Sequence, residues 1–321
     1  MGGRAISKLI NQEEADRITL DQKNEYLEFF SQVSGLTPVR EIECKTDFGD
    51  IDFIYSSCKD DGFFEELIKL KYDYNGKVKN GNITSFAVGH NQIDIIRMSE
   101  SRRESALNYY NDNDKGNLIG VIFNRLGFIF GHTGLDLRLD FDRLSLTNDF
   151  NKILSFLKYP SYAIQKMQSG FKTYEEMFET VMLSPYFDSR YYEFENLNNE
   201  NRTRNKKRKT YQMFVEYLQD HPKKSLSFTK EKMMYDSLIL FEKEKDYLML
   251  LKKQEDNKLN RELFNGDLVN SITGLVREDL GKFIQFTKVE EPFMTEHAYY
   301  YSTEEITEKI TKTYQKFKDM K

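Results

Sequence analysis

The stretch "KTDFGDIDFIY", residues Lys45–Tyr55, places two carboxylates at the start of an apolar run that is typical of a buried strand. Side chains two residues apart on a strand point to the same face of the sheet. Asp50 and Asp52 would therefore project together, and their charges would repel one another unless a cation is present. Gly49 directly precedes them and has no side chain, which would let a phosphate group approach the backbone. The pattern favours nucleotide chemistry.

A third carboxylate lies in another apolar stretch, "NQIDIIRM", residues Asn91–Met98. An unpaired Asp94 would be costly to bury in such a strand. If this strand pairs beside the first, three aspartates can hold two Mg²⁺ or Mn²⁺ ions, which take oxygen ligands, activate an attacking hydroxyl and neutralise a triphosphate. Two alternatives stay open, because a D-x-D pair also caps turns and Asp94 could pair with Arg97 or another base.

The composition restricts the class of protein. The chain has 321 residues, of which 39% are hydrophobic, so it can bury a sizeable core. Its net charge of -5 excludes an overall basic nucleic-acid binder but permits a local basic patch. Two cysteines are too few for a disulfide framework, the four histidines show no zinc spacing with them, and no apolar run approaches the ~18 residues that span a bilayer. We therefore expect a cytoplasmic protein with no membrane partner.

Hydrophobic periodicity predicts an α+β fold. Residues 21–35 have the spacing of a helix, and residues 82–98 read as an antiparallel hairpin around a Gly-His-Asn turn. Helical patterns dominate after residue 99, including one helix over 116–131, with a short strand-like interruption at 134–146. We expect a small mixed-sheet domain at residues 1–99, a mainly helical domain at 100–225 and a helical C-terminal region at 226–321.

A basic run, "RTRNKKRK", lies at residues 202–209. It precedes a predicted amphipathic helix with Tyr211, Phe214 and Leu218 on its inner face. Concentrated positive charge in an acidic chain predicts contact with an RNA backbone or a triphosphate, and the alternative is a solvated helix start. The expected acceptor-binding residues are the six basic side chains of the run: Arg202, Arg204, Lys206, Lys207, Arg208 and Lys209.

The arrangement "FGDIDFIY" followed by "QIDIIRM" resembles the DNA polymerase β-like nucleotidyltransferase superfamily, which includes poly(A) polymerases and tRNA-terminus nucleotidyltransferases. More narrowly, it resembles a branch found in bacteriophages and large DNA viruses, with an N-terminal "GG-x-A", a helix, a "K-x-x-F-G-D-x-D" strand and a "Q-x-D" strand. The matching residues are Gly2, Gly3, Ala5, Lys45, Phe48, Gly49, Asp50, Asp52, Gln92 and Asp94. Further similar segments lie at 106–135, 169–187 and 202–218.

The resemblance implies a chemistry. Asp50 and Asp52 would be ligands of both metal ions, and Asp94 would be the third ligand and the base near the acceptor hydroxyl. The protein would use Mg²⁺ or Mn²⁺ to move a nucleoside monophosphate from an NTP, with ATP as the expected substrate, to an RNA or DNA 3′ end. Transfer to a protein or a small molecule, and a non-catalytic binding protein that has kept the fold, are the alternatives. Residues 1–99 would be the catalytic domain and 100–225 would close over the nucleotide, in the cytoplasm of a host cell if the protein is viral.

One departure concerns the phosphate grip. The superfamily usually carries a Gly-Ser pair shortly before the first aspartate, on a turn that binds phosphates, whereas this chain has Val39 and Arg40 there. Backbone amides of Gly2-Gly3 or of Ser34-Gly35 could replace that turn, with charge from Arg40 and Lys45. By the same resemblance, the polar loop before Asn117 lies near the nucleotide. The expected nucleotide-binding residues are Gly2, Gly3, Arg40, Lys45, Gly49 and Asn117.

Overall fold

The computed structural model describes residues 4–56, 60–140 and 142–320, so the predicted phosphate contacts of Gly2 and Gly3 lie outside the described residues. The chain divides into two compact units between Phe241 and Glu242. The predicted boundaries at residues 99 and 225 do not separate units, because the segments on both sides of each belong to the first unit.

Ten strands form three sheets in the described ranges. The strands are β1 (Ile18–Thr19), β2 (Leu36–Pro38), β3 (Asp47–Phe48), β4 (Ile51–Tyr55), β5 (Tyr74–Asn80), β6 (Ile83–Val88), β7 (Asn91–Arg97), β8 (Phe128–Gly131), β9 (Gly134–Arg138) and β10 (Arg143–Thr147). The largest sheet has the order β2, β4, β7, β6, β5, in which β4 and β7 are parallel and the other neighbours are antiparallel. β1 pairs with β3, and β8 to β10 form an antiparallel meander. The predicted mixed sheet is confirmed.

Helices make up most of the remaining described chain, which confirms the α+β class. In the first unit they are α1 (Ser7–Ile10), α2 (Leu20–Ser31), α3 (Asp61–Lys69), α4 (Glu100–Tyr110), α5 (Lys115–Leu126), α6 (Phe150–Phe156), α7 (Ser161–Ser169), α8 (Tyr174–Val181), α9 (Asn199–Asn205), α10 (Lys209–Asp220) and α11 (Lys230–Leu240). In the second unit they are α12 (Glu244–Leu263), α13 (Gly266–Thr273), α14 (Arg277–Glu290), α15 (Pro292–Glu296) and α16 (Thr303–Asp319). None of the helices within the described ranges is both long and apolar enough to cross a membrane.

Local sequence signals explain most element ends. Thr19 and Gln22 form a capping box at the start of α2. The predicted hairpin is confirmed as β6 and β7, and Gly89 in its turn has a φ of 56°. The single helix predicted over 116–131 is wrong, because Gly127 adopts a left-handed conformation that ends α5 and the chain then enters β8.

The two faces of the large sheet have different roles. One face packs on α2 and α3 through an aromatic core that includes Phe30, Phe53 and Phe64. On the other face, Ile54 and Ile96 pack against Ala106 of α4 in a smaller cluster. Because strand residues alternate between faces, the even-numbered aspartates share this second face. The fold therefore places their carboxylates beside α4 and not in the aromatic core.

Candidate active site

The three aspartates meet at the start of β4, beside the middle of the parallel strand β7. The strand register pairs Asp52 of β4 directly with Asp94 of β7. Asp50 lies two residues before Asp52, on the same face. Each residue offers a carboxylate oxygen, and these three oxygens lie within 4.8 Å of one another. The convergence that the sequence predicts is present in the structure.

Burial and mutual repulsion make this cluster costly to charge. Burial raises the pKa of each of the three carboxyl groups. The charge of Asp50 also raises the pKa of Asp94, and the charges of Asp50 and Asp94 raise the pKa of Asp52. The pKa of Asp94 reaches about 7, although hydrogen bonds from Ser85 and Gln92 lower it. A divalent cation would relieve this repulsion, and three carboxylates are the hard oxygen ligands that Mg²⁺ and Mn²⁺ prefer. The residues fit such an ion.

Gln92 fixes the orientation of Asp94. Its side-chain Nε2 donates to both Asp94 oxygens at 3.0 Å, and its Oε1 accepts a hydrogen bond from the backbone N–H of Ala5 at 3.0 Å. The described start of the chain is therefore held beside the third aspartate. The alternative pairing of Asp94 with Arg97 is wrong, because the Arg97 guanidinium contacts Asp61.

Two lysines lie against Phe48, which shortly precedes the first two aspartates in sequence, and the sequence interpretation missed one of them. The Lys23 and Lys45 ammonium groups lie 4.2 Å and 5.1 Å from the centroid of the Phe48 ring, immediately before the Gly49–Asp50 turn. Lys45 also pairs with Glu41 at 2.9 Å. Burial lowers the pKa of Lys23, and Glu41 partly offsets this. Lys23 lies on a polar turn of α2 with no distinguishing neighbour in sequence, so only the fold could reveal it.

The predicted Ser34-Gly35 phosphate turn is wrong. The Ser56 backbone N–H donates to the Gly35 carbonyl, and Leu36 pairs with Tyr55, so this turn lies beside the end of β4. The aspartates lie at the start of that strand, roughly 15 Å away at 3.3 Å per residue. Gly49 is buried between Phe48 and Asp50, next to the carboxylates.

Arg40 is held by the helical part of the first unit. Its Nε and Nη2 atoms donate to the two carboxylate oxygens of Asp112 at 2.9 and 2.8 Å, and its Nη1 donates to the Gln168 carbonyl at 2.7 Å. Lys115, which is fully buried, donates to the same aspartate at 2.8 Å. The phosphate contact of Arg40 stays a prediction, and it would require the guanidinium to release these partners.

This difference between the two basic residues gives a test of the phosphate grip. We expect Lys45→Ala to weaken Mg²⁺-ATP binding about tenfold or more and to lower the melting temperature less than Arg40→Ala does, because the Glu41 side chain keeps 17% exposure whereas Asp112 is fully buried. Arg40→Ala should instead lower the melting temperature strongly, since it leaves Asp112 buried with one partner fewer. Calorimetry with ATP and thermal melts on both variants measure this. If Lys45→Ala and the unmodified protein bind ATP with equal affinity, other residues bind the phosphates.

The six residues of the basic run have different environments. Arg202 donates to the carbonyls of Phe194 and Leu197 at 2.9 Å each, and Arg208 pairs with Asp114. The remaining four are exposed: Arg204, Lys206, Lys207 and Lys209. The run spans the turn between α9 and α10, and the predicted inner face of α10 is confirmed, because Tyr211, Phe214 and Leu218 are buried.

Asn117 lies on α5, where its Nδ2 donates to Asn205 of α9 at 3.2 Å. Its side chain lines a cavity between these two helices and β8. Its contact with a nucleotide stays a prediction.

Comparison of the chain with models of protein families found no match, and comparison with curated proteins found no significant relative. The resemblance to nucleotidyltransferases therefore stays a prediction from the sequence motifs.

Proposed function

We propose that the protein is a nucleotidyltransferase that depends on Mg²⁺ or Mn²⁺ and moves a nucleoside monophosphate from an NTP, with ATP as the expected substrate, to an acceptor hydroxyl. The observation that supports this function is the convergence of three carboxylate oxygens, from Asp50, Asp52 and Asp94, within 4.8 Å on paired parallel strands. Uncompensated, such a cluster would only cost stability, so its presence favours a role that uses a cation.

Each residue of the site has a role in this proposal. Asp50, Asp52 and Asp94 would hold the metal, which when bound supplies charge neutralisation of the triphosphate and activation of the hydroxyl. By the resemblance to nucleotidyltransferases, Asp94 would also accept the proton of the acceptor hydroxyl. Gln92 holds its carboxylate in one orientation. Lys23 and Lys45 supply positive charge for the phosphates.

A nucleic-acid 3′ end is the proposed acceptor. The exposed cations Arg204, Lys206, Lys207 and Lys209 give one surface a concentration of positive charge in an acidic chain. Such a surface attracts a phosphate backbone without reading its sequence. Transfer to a protein or a small molecule would not require such a basic surface.

The direct test incubates the protein with each labelled NTP, with Mg²⁺ or Mn²⁺, and separately with RNA, DNA and a protein extract. Metal-dependent label on the 3′ end of RNA or DNA is the expected result. Label on protein would identify a different acceptor. If ATP binds and no acceptor is labelled under any condition, the protein is a non-catalytic nucleotide binder and the proposed activity is wrong.

The salt dependence of nucleic-acid binding tests the acceptor. Replacing Lys206 and Lys207 with Ala should lower the log-log slope of affinity against salt by about one unit or more, because each phosphate contact with a single strand contributes ~0.7 units. The loss should be similar for all sequences, since phosphate contacts carry little base information. Fluorescence anisotropy across a salt series measures the slope.

An adjacent lysine pair in the second unit, Lys252 and Lys253, is also exposed and provides the matched double-alanine control. This control should leave the slope unchanged. If the Lys206/Lys207 variant loses ATP affinity and keeps nucleic-acid affinity, the run contacts the triphosphate. If neither affinity changes, the run is a solvated turn and the nucleic-acid acceptor loses its support.

A further inference from the structure

A cavity of about 290 Å³ lies along one side of α5, between that helix, β8 and the segment that contains α9. Its polar lining consists mainly of asparagine side chains: Asn117, Asn124, Asn196, Asn198, Asn201 and Asn205. Arg125 and Arg204 also line it, and among the described lining residues there is no carboxylate. Tyr109 of α4, which is half-buried, and Phe130 of β8, which is 8% exposed, supply aromatic surface. A cation therefore has no ligand of opposite charge here.

The glycine at position 120 indicates that this space is kept open. Gly120 lies in the middle of α5, where glycine costs about 1 kcal/mol relative to alanine. A Cβ atom at this position would meet only the Phe130 carbonyl oxygen, at an ordinary 3.8 Å. At Gly116, one turn earlier, a Cβ would lie 2.3 Å from the Tyr109 carbonyl oxygen. Packing therefore requires Gly116 but not Gly120, whose side chain would project into the cavity.

The available polar groups suit a neutral ring that both donates and accepts hydrogen bonds. Asn117 and Asn205 bond to each other, whereas Asn124 and Asn201 make no side-chain hydrogen bond to any residue that the structure describes. An amide offers a donor and an acceptor side by side, which matches the edge of a nucleobase. A triphosphate would need more cations than the cavity provides, since Arg125 already bonds to the Asn196 carbonyl.

The helix α9 connects the cavity to the basic run. Asn201 and Asn205 line the cavity, and Lys206 and Lys207 follow directly in sequence. On the opposite side, Tyr110 of α4 follows the cavity residue Tyr109. The rings of Tyr109 and Tyr110 lie 5.3 Å apart, and Tyr110 packs against Ile54 and Ile96, on the face of the sheet that carries the aspartates.

We propose that this cavity binds one nucleobase of a single-stranded nucleic-acid acceptor while the exposed cations beside it contact the backbone. The choice of a nucleic acid rests on the proposed function. A volume near 290 Å³ is at the lower end for small-ligand sites and suits one base with its sugar. Stacking on an aromatic side chain and hydrogen bonds to amides are the usual means of holding an unpaired base.

The test is to fill the cavity. Gly120→Leu should weaken the binding of short single-stranded oligonucleotides about tenfold or more, measured by anisotropy without divalent metal. Mg²⁺-ATP affinity, measured by calorimetry, should remain within about twofold, because the aspartates and lysines of the site are not altered. Gly281→Leu is the matched control, since Gly281 also lies inside a helix and a Cβ there would meet nothing within 4 Å.

A second variant covers the case in which Gly120→Leu folds poorly. Asn201→Ala removes an amide without adding volume and should weaken oligonucleotide binding severalfold. Unchanged oligonucleotide affinity in both variants overturns the inference, and so does a parallel loss of ATP affinity, which would assign the cavity to the incoming nucleotide. If the protein transfers nucleotides and Gly120→Leu changes neither this transfer nor oligonucleotide binding, the cavity inference is overturned and the proposed function stands. Cavity-dependent oligonucleotide binding without any transfer would overturn the proposed function alone.

Discussion

Asp52→Asn should reduce metal-dependent nucleotide transfer about a thousandfold or more, which corresponds to about 4 kcal/mol at 1.36 kcal/mol per factor of ten. Asp52 lies opposite Asp94 in the strand register and shares the cluster with Asp50, and an amide has one carbonyl oxygen and no charge where the site requires a carboxylate. Initial rates with labelled ATP and the best acceptor measure the loss. Asp140→Asn, on an exposed aspartate outside the cluster, is the control and should leave the rate unchanged.

The same variant should keep its fold in the absence of metal. Burial and the neighbouring charges raise the pKa of Asp52 well above its ordinary value, so the charged group destabilises the metal-free protein as the pH rises through that folded pKa. Asn carries no charge, and at pH 8 the metal-free variant should melt at or above the temperature of the unmodified protein. Mg²⁺ should raise the melting temperature of the unmodified protein only. Wild-type rates, or a variant that unfolds without metal, would contradict the assigned role.

Much of the site could be predicted because its signals are local in sequence. The D-x-D spacing places Asp50 and Asp52 on one face of a strand whatever the rest of the fold does. Asp94 could be predicted as a partner because a lone acid in an apolar strand needs an explanation. What the sequence could not fix was the register of β4 against β7, which sets Asp52 opposite Asp94 and depends on packing of the whole sheet.

The predictions for Arg40 and for the basic run stayed open because long-range contacts decide the environment of these side chains. Arg40 looks like a phosphate ligand because it precedes the aspartates closely, yet its partner Asp112 is 72 residues away in sequence. The basic run looks uniform, yet Arg208 reaches across to Asp114. The helix over 116–131 was mispredicted for a local reason, since glycine is tolerated inside helices and only its conformation at Gly127 marks the end.

The buried network around Asp112 leads to the second large expected effect. Asp112→Asn should lower the free energy of unfolding by about 3–5 kcal/mol, because removing one partner of a buried ion pair leaves the other charge uncompensated. Lys115 and Asp112 are both 0% exposed, so water cannot replace the lost carboxylate. Asparagine retains the shape and tolerates the left-handed backbone, in which Asp112 has a φ of 62°. Urea denaturation at pH 7 measures the change.

The contribution of Asp112 to the free energy of unfolding depends on pH in a defined direction. Burial alone would raise the pKa of Asp112, but Arg40 and Lys115 outweigh it and hold the pKa below its ordinary value. A carboxyl group with a lowered folded pKa contributes stability above its unfolded pKa of about 4, and this contribution is lost as the pH falls through the folded value. The difference between the unmodified protein and Asp112→Asn should therefore narrow below pH 4.

Two further variants separate charge compensation from simple loss of a hydrogen bond. Adding Lys115→Met to Asp112→Asn removes the orphaned ammonium group, so the double variant should be more stable than the single one. Asp236→Asn removes one partner of an exposed pair with Lys232 and should cost no more than about 0.5 kcal/mol. If Asp112→Asn costs equally little, the network does not secure Arg40, and Arg40 becomes available to a phosphate after all. A double variant that is less stable than the single one would show that Lys115 contributes through its bond to the Met167 carbonyl and not through its charge.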